Sequence, residues 1–245
     1  MRMKVAVLVA DGFEQAEMAR PVRRLRREGA EVKIVSLEPG HIVGMNLMWR
    51  ASRLRVDATV LDAEADQFDA LLLPGGYFSP DTLRQNQAAL ALVRDFERAQ
   101  KPIAMIGRAP WLLISAGLTR GRQLAAWPGI ADDVRNAGAT WVDRTVVHDQ
   151  NWISSRSAKD LRQFNDALVA HLAGYAARRV APSAVSTATD TDTGTDTATA
   201  DAPRRRRLGL ASLRSLVALA ASAATAASAV AARRAWLRRE ATARR

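Results

Sequence analysis

The chain contains no cysteine, which excludes disulfides, thiolate metal sites and cysteine catalysis. No long apolar segment follows Met1, and the chain enters a predicted strand at once, so we expect no secretory signal and a cytoplasmic protein. The sequence also lacks a P-loop, a Ser/His/Asp order and any metal-ligand spacing. We therefore expect neither a cofactor nor a metal.

Most of the chain has almost no net positive charge, although the net charge of the whole is +11. Residues 1–177 carry 23 Lys and Arg against 20 Asp and Glu, whereas the segment from Pro203 onward has 11 arginines and one acid, Glu240. The larger part lacks the basic excess that nucleic-acid binding requires. The basic character belongs to the C-terminal tail.

Short apolar runs alternate with helical patterns over the first 173 residues. The runs predict strands at 4–9, 31–37, 70–73, 103–106, 141–147 and 152–154, with shorter strands and turns within 41–60. Helices are predicted at 14–28, 87–100, 110–116, 130–137 and 160–173. This alternation predicts an α/β fold with a parallel sheet covered by helices on both faces. Ligands of such sheets bind at the carboxyl ends of the strands.

Three regions differ in composition: a domain at 1–175, a linker at 176–203 and a tail at 204–245. The Thr/Ala/Asp-rich linker lacks large apolar residues and is predicted to be flexible. In the tail, 18 uncharged residues at 215–232 predict a helix of about 27 Å, close to the ~30 Å of a bilayer core. Arginine clusters flank it, and three interpretations stay open: a solvated basic helix, an anionic membrane anchor, or a nucleic-acid contact.

The segment around Gly107 has the layout of a nucleophile elbow. A predicted strand at 103–106 turns sharply into a predicted helix at 110–116, which is the geometry that projects a reactive side chain into a cleft. Gly107 forms the tip and has no side chain. Glycine adopts the positive φ of such a tip at little cost, so the fold tolerates the residue.

Several motifs, in order and at matching spacing, resemble the DJ-1/PfpI family with its class I glutamine amidotransferase-like fold. They include Val-Ala-Asp-Gly-Phe-Glu-Gln-Ala-Glu (9–17), Asp-Ala-Leu-Leu-Leu-Pro-Gly-Gly (69–76), Trp-Leu-Leu-Ile-Ser-Ala-Gly (111–117) and Ser-Ser-Arg (154–156). The resemblance covers residues 3–173 and is strongest to the branch of PfpI-type intracellular proteases and general stress proteins. It implies a flavodoxin-like sandwich and a homo-oligomer.

The family's elbow usually reads Ala-Ile-Cys-His-Gly-Pro, whereas this chain reads Met-Ile-Gly-Arg-Ala-Pro (105–110). Gly107 thus takes the place of the cysteine, and Arg108 that of the histidine. Glycine supplies no lone pair to attack a carbon, and arginine stays charged and cannot act as a base. By resemblance, both changes remove groups that take part in the reaction, and they leave the packing of the fold unaffected.

Other positions keep the residues that the resemblance implies for the pocket. Glu17 matches the glutamate that lies against the family's cysteine, and Gly75 and Gly76 match the turn whose N–H groups face the reacting oxygen. Asp81 matches an acidic residue that the PfpI branch contributes across a subunit interface. Alternatively, Gly75-Gly76 is only a tight turn and Asp81 only a helix N-cap.

Three functional hypotheses follow. The first is a pseudoenzyme that binds ligands or oligomerises, with a stress-related role by family analogy. The second is a cysteine-independent hydrolase or glyoxalase-like enzyme that uses Glu17, with Arg108 as an anion clamp. The third is a scaffold that the basic tail tethers to membrane or nucleic acid. None of the remaining candidates, His41, His148, His171 and Ser115, has a sequence context that indicates catalysis.

Overall fold

The computed structural model of the chain describes residues 3–180, which belong to one compact unit. The strands of this part are β1 (Lys4–Leu8), β2 (Phe13–Glu14), β3 (Glu31–Ser36), β4 (His41–Asn46), β5 (Trp49–Arg55), β6 (Ala58–Thr59), β7 (Ala70–Leu73), β8 (Ile103–Ile106), β9 (Gln123–Leu124), β10 (Thr140–Trp141), β11 (Val147–Asp149) and β12 (Trp152–Ser155). Its α-helices are α1 (Gln15–Arg27), α2 (Ser79–Arg84), α3 (Gln87–Arg98), α4 (Pro110–Ser115), α5 (Ala131–Asn136) and α6 (Leu161–Val180). Short 3-10 helices span Ala65–Gln67, Pro128–Ile130 and Ala158–Asp160.

The central sheet contains seven strands in the order β11-β12-β8-β7-β1-β3-β6. Every neighbouring pair is parallel except β11 and β12, which run antiparallel. In β1, Val5 and Val7 pack in the same core cluster as residues of α1 and α6, while the alternate residues Ala6 and Leu8 are buried as well. Since alternate side chains of a strand point to opposite faces, both faces are covered. The predicted α/β sandwich is confirmed.

Two small sheets flank the central one. Strands β4 and β5 form an antiparallel hairpin that β2 extends, and β9 pairs with β10. The hairpin tip, Leu47 and Met48, is exposed. The prediction of strands and turns within residues 41–60 is therefore confirmed, but β4 and β5, of six and seven residues, are not shorter than the strands of the central sheet.

Helix α1 carries the first candidate residue into the core. Its buried residues Met18, Val22 and Leu25 recur at helical spacing and face the sheet. Glu17 is buried on the same helix, in its first turn. The helix ends where Gly29 adopts a φ of 81° and the N–H of Ala30 donates to the Leu25 carbonyl (3.0 Å).

Two predicted boundaries are wrong. The strand predicted at 141–147 is two strands, β10 and β11, because β10 pairs with β9 while β11 pairs with β12. Helix α6 continues to Val180 rather than ending at 173, so residues 176–180, assigned to the linker, are helical. Tyr175 and Ala176 pack against the core, and Arg179 forms an ion pair with Asp69. These contacts are tertiary and leave no local sequence signal.

The predictions for the rest of the linker and for the tail fall on residues 181–245, outside the described residues. In the part of the chain that the structure does describe, no helix combines the length and the apolarity that crossing a bilayer requires.

Candidate functional site

A cavity of about 320 Å³ opens at the carboxyl ends of the central strands. The turns after β7 and β8 meet there, as expected for ligand sites of parallel sheets. The residues that line the cavity are Glu14, Glu17, Leu47, Gly76, Tyr77, Gly107, Arg108, Trp127, Ser157, Ala158 and Lys159. Four of the six residues predicted for the pocket are thus among its lining.

Gly107 is the tip of a strand-to-helix elbow between β8 and α4. Its φ is 65°, a left-handed conformation that side chains rarely adopt, as the sequence predicted. Its N–H donates to the Ser155 carbonyl (3.1 Å), and its carbonyl accepts from the Trp127 N–H (2.8 Å). A Cβ built on Gly107 would lie 2.8 Å from Oε2 and 3.2 Å from Oε1 of Glu17. The carboxyl group therefore lies directly against the elbow.

Glu17 is a buried acid with an unsatisfied oxygen. Its relative exposure is 6%, and among the described residues Oε2 has no hydrogen-bond partner. Burial, and to a smaller extent the charge of Glu14, raises the pKa of the carboxyl from 4.5 to about 7. The N–H groups of Ala158 and Gly75 and the charge of Arg108 lower the pKa. None of them forms a hydrogen bond with Oε2. Near neutral pH, Glu17 is thus divided between its acid and its carboxylate.

Gly75 makes room for this carboxyl group, and Gly76 makes room for the backbone that precedes α1. A Cβ on Gly75 would collide with Glu17 Oε2 and would lie 2.8 Å from the Ile106 carbonyl oxygen. Gly76 has a φ of 123°, and a Cβ there would lie 2.6 Å from the Glu14 nitrogen. The two glycines therefore form a tight turn beside the site. That their N–H groups face a reacting oxygen stays a prediction.

Arg108 lines the same cavity and is half-buried. Its guanidinium carbon lies 4.1 Å from the centre of the Tyr77 ring and 5.1 Å from that of Trp127, which are cation–π contacts. Among the described residues, no carboxylate oxygen lies within ion-pair distance of this guanidinium. The cation is therefore stacked on aromatic rings rather than neutralised by an acid.

Asp81 does not line the cavity of its own chain. It is exposed in the first turn of α2, where its Oδ2 accepts a hydrogen bond from Gln85 Nε2 (3.2 Å) and its Oδ1 lies 4.0 Å from Arg84 Nε. The alternative that Asp81 is a helix N-cap is wrong, because Phe78 occupies that position. A role for Asp81 across a subunit interface stays a prediction.

None of the three histidines, all of which lie in the described part of the chain, lines the cavity. His41 and His148 are exposed, and His171 Nε2 lies 3.2 Å from the Asn151 carbonyl oxygen. Ser115 is half-buried in α4, also away from the cavity. Within the described residues, no group of His, Asp and Glu is arranged to hold a metal ion.

Several lining residues were not predicted from the sequence. Tyr77 directly follows the Gly-Gly turn, so its proximity could have been foreseen from that turn. Trp127 and Lys159 come from segments that are distant in sequence and carry no recognisable motif. Leu47 reaches the cavity from the tip of the β4–β5 hairpin.

The fold and the site together define an α/β protein with a cleft built around a strand-to-helix elbow. A profile of the DJ-1/PfpI family matches residues 3–171. The chain is 43% identical to Deglycase PfpI of Pyrococcus furiosus over 159 residues, which is 65% of this chain and 93% of the relative. It is 40% identical to Protein/nucleic acid deglycase 2 of Escherichia coli over 166 residues, which is 67% of this chain and 95% of the relative. The chain belongs to the DJ-1/PfpI family.

A solved structure agrees with this assignment. The crystal structure of a DJ-1 superfamily protein from Salmonella typhimurium superposes with a TM-score of 0.63 at 32% sequence identity, covering 70% of this chain and 91% of that one. The resemblance inferred from the motifs is confirmed. Residues 172–245 lie beyond the part that the family profile matches.

Proposed function

We propose that this protein is a DJ-1/PfpI-family pseudoenzyme that binds a small molecule at the elbow cavity and performs no thiol chemistry. One observation carries the proposal: at the tip of the elbow stands Gly107, with a φ of 65° and the Glu17 carboxyl group against its Cα. An elbow that presents no side chain cannot form a covalent intermediate. The backbone that would position a nucleophile is kept, but it now borders a cavity lined by an acid and a cation.

The neighbouring groups support this proposal. Arg108 stays protonated at any physiological pH, so it cannot activate water or a nucleophile as a base. The lining hydroxyl of Ser157 accepts a hydrogen bond from the Lys159 N–H (3.4 Å) and begins the 3-10 helix Ala158–Asp160. A serine nucleophile would need a base within hydrogen-bond reach. No histidine lines the cavity, and among the described residues Oε2 of Glu17 accepts no hydrogen bond from Ser157 or any other group.

The test is a turnover assay on purified full-length protein. The substrates are a glycated peptide, glyoxal and an unmodified peptide, with Deglycase PfpI of Pyrococcus furiosus as the positive control. We expect no turnover above the rate of a Glu17→Gln/Arg108→Gln double variant. Turnover that this double variant loses would overturn the proposal.

A second candidate function rests on Glu17. Its pKa of about 7, its burial and its unpaired Oε2 are properties of a general acid or base that works at neutral pH. In this alternative Arg108 orients a small carbonyl or acyl substrate. The same assay separates the two candidate functions. Turnover that depends on Glu17 would change with pH around a midpoint near 7, whereas a binding protein shows no turnover at any pH.

Self-association is part of the proposal. The largest exposed apolar side chains include Leu47, Met48 and Trp49 at the β4–β5 hairpin and Tyr77 and Phe78 before α2. Leu47 and Tyr77 also line the cavity, so this apolar surface borders the site. Apolar patches of this kind mark protein–protein contacts more often than single exposed residues do. A homo-oligomer assembled over this surface would enclose the cavity mouth.

Tethering by the basic tail stays a separate prediction, since residues 204–245 lie outside the described residues. Its support is the sequence alone: arginine clusters on both sides of an uncharged segment at 215–232. A cytoplasmic location and a stress-related role likewise rest on the sequence and the family.

A further inference from the structure

The guanidinium of Arg108 contacts two aromatic rings, but its N–H groups stay available for hydrogen bonds to a ligand. The guanidinium carbon lies over the Tyr77 and Trp127 rings, at 4.1 and 5.1 Å from their centres. Stacking of this kind occupies the faces of the cation and leaves its N–H groups directed outward in the plane. These N–H groups form a fork whose spacing matches the two oxygens of a planar carboxylate.

Glu17 supplies a second, independent indication of a ligand. Its Oε2 is buried and unpaired, and the residue lines the same cavity as Arg108. A buried polar atom without a partner is costly unless it is paired when the site is occupied. In its acid form Glu17 is a hydrogen-bond donor, whereas its carboxylate form can only accept. A partner with acceptor oxygens would therefore satisfy Glu17 and Arg108 at once.

The remaining walls are largely apolar. Leu47, Tyr77 and Trp127 line the cavity, and its volume of about 320 Å³ lies at the lower end of the range for small-molecule sites. Glu14 also lines it and would repel a group with two negative charges. A ligand with one charge and a flat apolar body fits these walls better than inorganic phosphate does.

We propose that the cavity binds a small monocarboxylate with a planar apolar body, its carboxylate paired with the Arg108 fork and accepting a hydrogen bond from the acid form of Glu17. This inference rests on the proposed binding function and names the ligand class of that site. No bond is made or broken, and one proton stays shared between the ligand and Glu17.

Binding must then depend on pH. The charged and titratable groups that face Glu17 across the cavity are Glu14, Arg108, Lys159 and Tyr77. Glu17 titrates near 7, so its acid form is abundant at pH 6 and scarce at pH 8. Since only the acid form donates to the ligand, the dissociation constant rises about tenfold from pH 6 to pH 8.

The experiment is a calorimetric titration of the full-length chain with benzoate, with benzamide as its neutral analogue, at pH 6 and pH 8. We expect benzoate to bind more tightly at pH 6 and benzamide to bind weakly or not at all. Glu17→Gln keeps a donor but cannot ionise, so its affinity for benzoate is equal at the two pH values. Arg108→Gln loses two charge-assisted hydrogen bonds and weakens binding about 10- to 100-fold.

Arg135→Gln is the matched control, because Arg135 also stacks on a tryptophan, Trp141 (5.3 Å), but lies away from the cavity. Its benzoate affinity should equal that of the unaltered chain. Loss of affinity in Arg108→Gln, which keeps every arginine of the tail, would exclude binding to the tail. Equal affinity for benzoate and benzamide, or an Arg108→Gln variant with undiminished affinity, would overturn the inference. The turnover assay on the same samples shows separately whether the proposed function fails, since catalysis overturns that proposal whichever probe binds.

Discussion

At the scale of single residues, three positions set the chemistry of the elbow cavity. Gly107 presents no side chain at the tip of the elbow. Glu17 is buried against this glycine, and Arg108, a cation that cannot act as a base, lines the same cavity. The cavity therefore contains an acid and a cation beside a tip without a side chain.

Replacing Gly107 by cysteine should not restore an efficient enzyme. A side chain at φ 65° costs about 1–2 kcal/mol, and its Cβ would force the Glu17 carboxyl to move from 2.8 Å. We expect Gly107→Cys to lower the free energy of unfolding by about 1–3 kcal/mol. Its thiol would line the cavity and should react with a labelling reagent, and the label reports on this position alone because the chain has no other cysteine. Turnover should stay poor because position 108 still lacks a proton acceptor.

Gly107→Ala is the control for this prediction, because it adds the same Cβ without a thiol. Both variants should lose similar stability in chemical denaturation. The double variant Gly107→Cys/Arg108→His should turn over substrate faster than Gly107→Cys alone. Equal rates for these two would show that the missing histidine is not what limits the site.

Glu17 should make the stability of the fold depend on pH. Its pKa is raised from 4.5 in the unfolded chain to about 7 in the fold, so the folded state binds more protons between these values. The contribution of Glu17 to stability is therefore greatest below pH 4.5, declines as the pH rises to 7 and is then constant. From pH 5 to pH 8 the unaltered chain should lose about 2–3 kcal/mol that Glu17→Gln does not lose.

Chemical denaturation of both proteins at the two pH values measures this difference. Glu31→Gln serves as the control, since Glu31 is an exposed glutamate in β3 and should follow the unaltered chain. Parallel pH dependence of Glu17→Gln and the unaltered chain would mean that the buried carboxyl does not titrate in this range.

At the scale of elements, the site depends on how strands and helices end. The turn after β7 brings Gly75 and Gly76 to the carboxyl end of β8, and α1 begins beside them with Glu17 in its first turn. Elements with strong local patterns, such as β7 and β8, were predicted with accurate bounds. Elements held by tertiary contacts, such as β10, β11 and the last turns of α6, were not.

The last turns of α6 should contribute to stability. Ending the chain after Ala173 removes the packing of Tyr175 and Ala176 and the ion pair between Arg179 and Asp69. Because the ion pair is exposed, most of the loss comes from apolar burial, and we expect about 1–2 kcal/mol. A chain that ends after Val180 should unfold like the full-length protein, since the linker has no core-forming residues.

Thermal and chemical unfolding of the two shortened chains and the full-length protein measures the loss of stability. Tyr175→Ala in the full-length chain should reproduce most of the effect of ending after Ala173. If all these proteins unfold alike, the helix beyond residue 173 does not support the core.

At the scale of the whole molecule, we expect the exposed apolar surface at the β4–β5 hairpin to mediate self-association. Trp49 is 79% exposed, and Met48 and Leu47 beside it are exposed as well. Trp49→Glu places a charge on this surface, so we expect smaller species in sedimentation velocity than for the unaltered chain. Arg53→Glu changes a charge on the same strand outside the apolar tip and should leave the assembly intact. A monomeric unaltered chain at micromolar concentration would contradict the prediction.

The sequence by itself determined the family, the parallel α/β fold and the absence of cysteine, because these depend on local patterns and on which residues are present. It also placed Glu17, Gly76, Gly107 and Arg108 in one pocket, since the carboxyl ends of parallel strands converge.

The tertiary structure alone decided how these groups interact. The packing of Tyr77 and Trp127 against Arg108, the unpaired oxygen of Glu17 and the exclusion of Asp81 from the cavity of its own chain arise from contacts between distant segments. Burial and proximity set the charge of a carboxyl group and the partners of a cation, and neither property is encoded in the residues next to it in the sequence.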